Sequence, residues 1–518
     1  MTLIRAFLSV SSLTLLSRVM GLVRDVVIAA VFGAGPALDA FLAAFRLPNT
    51  LRRFTAEGAL THAAVPVYKQ ERQNSAESAA VFAGEITCLL VAFLSVLVLA
   101  AMLAAPTVIA LFAPGLTNPQ TAATLLQIVF PYIIFISVVA MFALILNATG
   151  RFMAAAAAPT ILNVCLIAAA LWWSDFFTEP VTALAWGVFG GGLLQMLFVG
   201  FFVRRANLWP RLRPIFPPTK QARRTMRLMW QGTLGAGATQ INLLINLVIA
   251  SLLPAGSISW LHYADRLMEL PAGLLGATLA TVALPALAGA APAVRHAIID
   301  DALRLALILA APAAVGLAML AMPMVEVLFM RGAFLPQDAE MTARAVLAYS
   351  IGVIGLVLLR PLAAAFFAHQ DTATPAKTAL LMLLCTQMLN VVFVFILDWG
   401  HAGLALSVGL GACANAAALW WILRRRAWYI PTEGWASFIF AVGAALVVMA
   451  AVLAAAQTVD WHVLPIWPGV TLLLIIALAA AVYFAALSIG GVKVSHFRRV
   501  LPLSDDKTPS AEGLDKER

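Results

Sequence analysis

Three stretches of a largely apolar chain carry ionisable side chains where sequence suited to hydrocarbon would be expected. "SRVMGLVRD" (17–25) holds Arg18, Arg24 and Asp25, and "DAFLAAFRLPNTLRRFTAEG" (39–58) holds Asp39, Arg46, Arg52, Arg53 and Glu57. "YADRLMELPAGL" (263–274) holds Asp265, Arg266 and Glu269. A charge near the bilayer centre costs about 2.5–3.5 kcal/mol on insertion scales, so such side chains face a water-filled cavity or a partner. The six arginines outnumber the five acids by one. Guanidinium is a planar fork that stays charged and binds phosphate oxygens bidentately. The chemistry on offer is therefore recognition of an anion, most economically a phosphate-bearing one.

The competing reading is internal ion pairing. Arg53 and Glu57 stand at i,i+4 and are read as a pair along one helix. Arg266 and Glu269 stand at i,i+3, so Arg266 fits either reading. Arg18, Arg24 and Arg52 have no acid three or four residues away on their own helix and are read as facing a ligand. Arg46, and Arg360 further along the chain, receive no role.

These residues need helices to place them. The chain has 518 residues, 63% hydrophobic and 11% charged, whereas soluble domains carry roughly a quarter charged residues. Spanning the hydrocarbon takes about 20 apolar residues. Pro, Gly and charge clusters divide the chain into fourteen such runs, near 6–32, 39–66, 78–106, 120–148, 157–174, 181–203, 228–253, 260–288, 303–322, 344–368, 377–398, 401–423, 434–457 and 464–490. The expected fold is an all-α polytopic membrane protein of about fourteen transmembrane helices. Lys and Arg collect in the loops after even-numbered spans, including the stretch from Arg204 to Arg227 and the run Arg424, Arg425, Arg426. That asymmetry puts both termini in the cytoplasm, and it reads the net charge of +9 as loop placement rather than nucleic-acid binding.

The chain also resembles itself. "LFAPGLTNPQ" (111–120) returns as "LFMRGAFLPQ" (328–337), 217 positions on, and "LPNTL" (47–51) as "LPAGL" (270–274), 223 positions on. Equating spans 1–6 with spans 7–12 makes two six-helix parallel repeats, a transporter design with its substrate site between the halves. The organisation expected is an N-terminal repeat (1–203), a basic cytoplasmic linker (204–227), a C-terminal repeat (228–426), two extra helices (427–492) and a polar cytoplasmic tail (493–518). Pro48 and Pro271 fall at matching depths in repeat-related spans, where each frees backbone groups and bends its helix, making them hinge candidates.

Nothing points to catalysis. There is no Walker A pattern and no HExxH, the four cysteines sit in apolar runs without metal-ligand spacing, and no sizeable extramembrane region could hold the soluble substrate of a membrane glycosyltransferase. No cofactor, metal or catalytic residue is expected.

The motifs "SRVMGLVRD" (17–25), "FGAGPALDAF" (32–41), "FRLPNTLRRFTAEGAL" (45–60) and "YADRLMELPAGLLGATLATVALP" (263–285) closely resemble the MurJ/MviN family of bacterial lipid II flippases. The resemblance extends over the whole chain. It implies transport of undecaprenyl-pyrophosphate-linked disaccharide-pentapeptide from the cytoplasmic to the outer leaflet of the inner membrane, for cell-wall synthesis, with membrane lipids and the cell-wall machinery as further partners. The family's cavity arginines fall on Arg18, Arg24, Arg52 and Arg266, and Asp39, Asn49, Glu57 and Glu269 also match motif positions. The two extra helices would form a groove for the lipid tail. The alternatives within the same superfamily are an exporter of another polyprenyl-linked oligosaccharide and a multidrug exporter.

Overall fold

The computed structural model describes residues 3–55, 59–212, 217–289, 292–458 and 467–492. In hydrocarbon every backbone N–H and C=O must find its partner within the segment, which for an unpaired chain means a helix. The apolar runs accordingly form α1 (Leu3–Phe32), α2 (Pro36–Thr55), α3 (Ala59–Asn74), α4 (Ala76–Leu103), α5 (Ala105–Phe112), α6 (Pro119–Val129), α7 (Tyr132–Ala148), α8 (Met153–Ala168) and α9 (Thr182–Arg205). They continue as α10 (Lys220–Ser251), α11 (Ser257–Gly289), α12 (Pro292–Met319), α13 (Ala321–Phe329), α14 (Pro336–Ala368), α15 (Ala373–Asn390), α16 (Gly400–Arg425), α17 (Trp435–Gln457) and α18 (Pro468–Ile489). The described residues contain no strand.

Among the described residues, ten helical stretches are long and apolar enough to cross a membrane. Their outward faces carry large apolar side chains such as Phe93, Val96, Leu103, Phe440 and Ile489, a pattern that only lipid tolerates over so wide an area. Helix starts are chemically marked. Ser75 caps α4 by accepting the Ser78 amide at 2.9 Å, and proline opens α6 and α18.

The interruptions recur along the chain. Ala104 separates α4 from α5 and Leu320 separates α12 from α13, 216 residues later. A π-helical turn ends the helix at Ala169–Trp173 and another at Val391–Ile396. Left-handed backbone occurs at Gly33 and Gly256, at Gly150 and Gln370, and at Asn207 and Ala427. Each of these pairs is spaced as the sequence repeat is.

The chain divides into two compact units, one of Met1–Arg266, Met322–Val346 and Ala379–Ser407, the other of Leu267–Ala321, Leu347–Thr378 and Val408–Arg518. The first is centred on buried residues such as Leu60, Ile109, Leu125 and Tyr132. The second packs Ile299, Leu303, Phe366, Leu419 and Tyr429 into one core. In it α14 and α16 approach so closely that a Cβ on Gly352 would lie 2.8 Å from the Gly409 Cα, the small-residue contact by which membrane helices gain dispersion energy.

Candidate functional site

Three basic side chains of the first unit meet at Asp25. Its carboxylate is 1% exposed. Arg24, the next residue on α1, donates to Asp25 Oδ1 from Nε at 2.9 Å and from Nη2 at 2.7 Å, while its Nη1 donates to Asn163 Oδ1 on α8 at 3.0 Å. Asn163 Nδ2 in turn donates to the Ser17 carbonyl at 3.2 Å, so the amide ties α8 to α1 and orients the guanidinium. From α11, Arg266 Nε lies 3.3 Å from Asp25 Oδ2 and His262 Nε2 lies 3.7 Å from Oδ1. Two guanidiniums thus share one carboxylate. Arg24 is largely enclosed, whereas the Arg266 side chain is 38% exposed.

The remaining expected site residues are distributed as follows. Arg18 is exposed six residues before Arg24, about 9 Å down the axis of α1. Arg52 is half-buried near the end of α2, with Nε donating to Asn49 Oδ1 at 3.2 Å, a contact one helical turn long. Glu269 is exposed on α11. Glu57 lies outside the described residues, so its pairing with Arg53 has no structural counterpart to report. Pro48 is buried inside α2 and Pro271 half-buried in α11. Arg360, on α14, runs past α11 at Gly276, where a Cβ would stand 3.3 Å from the arginine Cγ.

Asp39 is placed differently from the arginines. Its Oδ2 accepts the Gly256 amide at 2.6 Å, and its Oδ1 accepts the Ser259 amide at 2.8 Å and the Ser259 hydroxyl at 2.6 Å. The carboxylate, 4% exposed, therefore caps the N-terminus of α11 from α2. Around this cap one end of the unit is sewn together. Tyr263 donates to the Gly33 carbonyl at 3.2 Å and packs on Phe329 and Phe334, and Ala333 N donates to the Ala30 carbonyl at 2.8 Å. Asp338 accepts the Trp260 indole N–H and the Leu335 amide, each at 3.0 Å.

Asn163, His262, Trp260 and Asp338 carried no signal in helical spacing. A lone amide in an apolar span was the only hint at Asn163. The amides of α10 and α15 bond between helices, Gln387 to Asn242 at 2.7 Å and Asn390 to Asn246 at 3.1 Å, as amides in membrane helices usually do.

An all-helical, multi-pass membrane protein with interrupted helices at a regular repeat has the fold of a membrane transporter. A multidrug resistance MATE family transporter of the MOP superfamily, in its inward-facing conformation, matches it with a TM-score of 0.66 over 81% of this chain and 98% of that one, at 15% identity. Within that fold the chain belongs to the MurJ family, whose model, described as lipid II flippase MurJ, matches residues 28–479. The lipid II flippase MurJ of Burkholderia cenocepacia is 41% identical over 96% of this chain and 99% of its own length. The probable lipid II flippase MurJ of Haemophilus influenzae is 36% identical over 93% and 99%. A solved lipid II flippase MurJ in an inward closed conformation matches with a TM-score of 0.79 at 25% identity, covering 93% of this chain and 99% of that one.

Proposed function

We propose that this chain is a flippase that carries lipid II from the cytoplasmic to the outer leaflet by alternating access, supplying the cell-wall synthesis machinery. The observation that carries the reading is the convergence of Arg24 on α1 and Arg266 on α11 upon one buried carboxylate. In this reading α1 is the first span of the N-terminal repeat and α11 the second span of the C-terminal repeat, and a pyrophosphate entering beside Asp25 offers the same guanidiniums additional oxygens. Arg18 and Arg52 complete the headgroup site, with Asn49 orienting Arg52. Asp39, which caps α11, and Glu269 belong to the same headgroup proposal, as does Glu57, which lies outside the described residues.

The domain boundaries 1–203, 204–227, 228–426, 427–492 and 493–518 belong to the same proposal, as do fourteen spans, cytoplasmic termini and residence in the bacterial inner membrane. The recurring interruptions support the repeat, and the Lys and Arg of the even loops support the orientation. Bends at Pro48 and Pro271 let α2 and α11 change tilt while α17 and α18 shelter the prenyl chain. An inside-negative potential favours outward movement of a negative headgroup by about 2.3 kcal/mol per charge per 100 mV if the whole field is crossed, which drives the cycle without a dedicated ion site.

The test is native mass spectrometry of the purified protein with lipid II, with another polyprenyl-pyrophosphate oligosaccharide and with cationic drugs. Preferential binding of lipid II, weakened in Arg24→Ala and Arg266→Ala, is the expected result. Preference for the drugs would overturn the reading in favour of a multidrug exporter.

A further inference from the structure

Glu85 on α4 and Asp300 on α12 are carboxylates buried to 1% exposure in apolar helices, and neither touches the arginine cluster. Left without donors, each would be costly. Glu85 Oε1 accepts the Thr219 amide at 2.7 Å and Oε2 accepts the Thr219 hydroxyl at 2.7 Å. Thr219 is the N-cap of α10, its Oγ1 accepting the Ala222 amide at 3.2 Å. Asp300 Oδ1 accepts the Thr432 amide at 3.3 Å and Oδ2 accepts the Thr432 hydroxyl at 2.5 Å. In both places one carboxylate binds the N–H and the O–H of one threonine, and that threonine stands just ahead of a long helix, α10 or α17. The acids lie 215 residues apart and the threonines 213, the period of the repeat.

Each clasp has its own surroundings. At the first, the Arg211 amide donates to the Ala80 carbonyl at 2.9 Å, and a Cβ on Gly84 would fall 1.8 Å from the Arg211 carbonyl oxygen, so the chain leaving α9 lies directly on α4. At the second, Asp300 also accepts the Tyr429 hydroxyl at 2.6 Å and the Trp435 indole N–H at 2.7 Å, and pairs with Arg304 at 2.9 Å. The Arg304 guanidinium in turn stands 5.1 Å from the Trp435 ring centroid, so the start of α17 is bound to α12 through both its polar and its aromatic atoms.

We propose that Glu85 and Asp300 are repeat-equivalent positioning residues, each clasping the threonine ahead of the helix that follows a six-span half and so setting where α10 and α17 begin. The proposal rests on the flippase reading above. It makes α17 stand to α12 as α10 stands to α4, and gives α17 and α18 an origin as the opening of a third, truncated repeat. During transport α10 pivots about a fixed base, and the helices assigned to the prenyl chain keep a constant register on α12.

The test uses the full chain in proteoliposomes, with lipid II flipping, lipid II binding and thermal stability measured on each variant. Thr219→Ser and Thr432→Ser keep both clasped groups and are expected to match wild type. Thr219→Val, Glu85→Gln, Thr432→Val and Asp300→Asn are each expected to slow flipping about tenfold, the scale of one lost charge-assisted hydrogen bond, with lipid II binding unchanged. Within a clasp the double variant is no slower than its slower single, because both remove one interaction, while losses in the two clasps multiply. Valine variants at the wild-type rate, serine variants as slow as valine, multiplicative losses within one clasp, or a parallel loss of lipid II binding would each overturn the proposal. A wild-type protein that flips no lipid II would instead overturn the flippase reading, and the clasps would then stand or fall on the same cycles read in thermal stability.

Discussion

The Asp39 carboxylate holds the Gly256 amide at 2.6 Å across 217 residues of sequence, and with it the start of α11. Removing it takes away the acceptor of the Gly256 and Ser259 amides. Asp39→Ala is expected to cost about 1–3 kcal/mol and Asp39→Asn less, since the amide oxygen retains one acceptor without the charge that suits a helix N-terminus. Thermal unfolding in detergent measures both. Identical midpoints for wild type and Asp39→Ala would contradict the capping role.

Arg24 makes three hydrogen bonds in two directions, to Asp25 and to Asn163. A lysine keeps the charge but not the fork. Arg24→Lys is therefore expected to fall short of wild type in flipping by about tenfold, close to Arg24→Ala, at equal protein level. Asp25→Ala, which leaves two guanidiniums without their shared anion, is expected to lose about 3–5 kcal/mol of stability as well. Depletion rescue and a flipping assay separate the two outcomes, and full activity of Arg24→Lys would show that charge alone suffices.

Gly33 has φ of +65° and sits against the loop before α14, where a Cβ would lie 2.4 Å from the Ala333 carbonyl oxygen. Gly33→Ala meets both a left-handed backbone and a backbone clash, so it should lower the unfolding midpoint and slow flipping. The backbone alone contributes about 1 kcal/mol. Gly35→Ala, where nothing lies within 4 Å of the added carbon, is the matched control. Equal effects at the two positions would remove the steric argument.

Asp371, in the turn between α14 and α15, accepts the Thr374 hydroxyl at 2.5 Å and amide at 2.9 Å, and the Arg426 guanidinium at 2.6 Å. The threonine bonds first, and then Arg426, pull its carboxyl down to about 2. A carboxylate lowered in the folded state stabilises the fold above the ordinary carboxylate range, and that contribution is lost as pH falls from about 4 through 2. Wild type should lose stability in that window relative to Asp371→Asn, and the two should run parallel from pH 5 to 8. A difference between them that stayed constant down to pH 2 would exclude the linkage.

Much of the fold was legible because membrane helices obey simple rules. Apolar length located the helices, whereas the interruptions at Ala104 and Leu320 fall inside stretches read as unbroken spans, although they are spaced as the recurring motifs are. Candidate site residues were legible as costly: Arg24 and Arg266 stood out as charges that hydrocarbon does not tolerate unpaired. Their partners were not legible. Helical spacing searched three and four residues away for an acid, while Arg24 uses its immediate neighbour and Arg266 uses the same carboxylate from another helix.

By itself the sequence determined which residues had to leave lipid, since the cost of burying a charge belongs to the residue type and its depth. Only the tertiary structure decided what each of them touches. Asp25 and Asp39 are the same side chain in neighbouring helices, yet one is surrounded by guanidiniums and the other by the amides of a helix N-terminus. The difference arises from which helix packs beside each, and helix packing brings together residues 139 or 217 positions apart that no local periodicity connects.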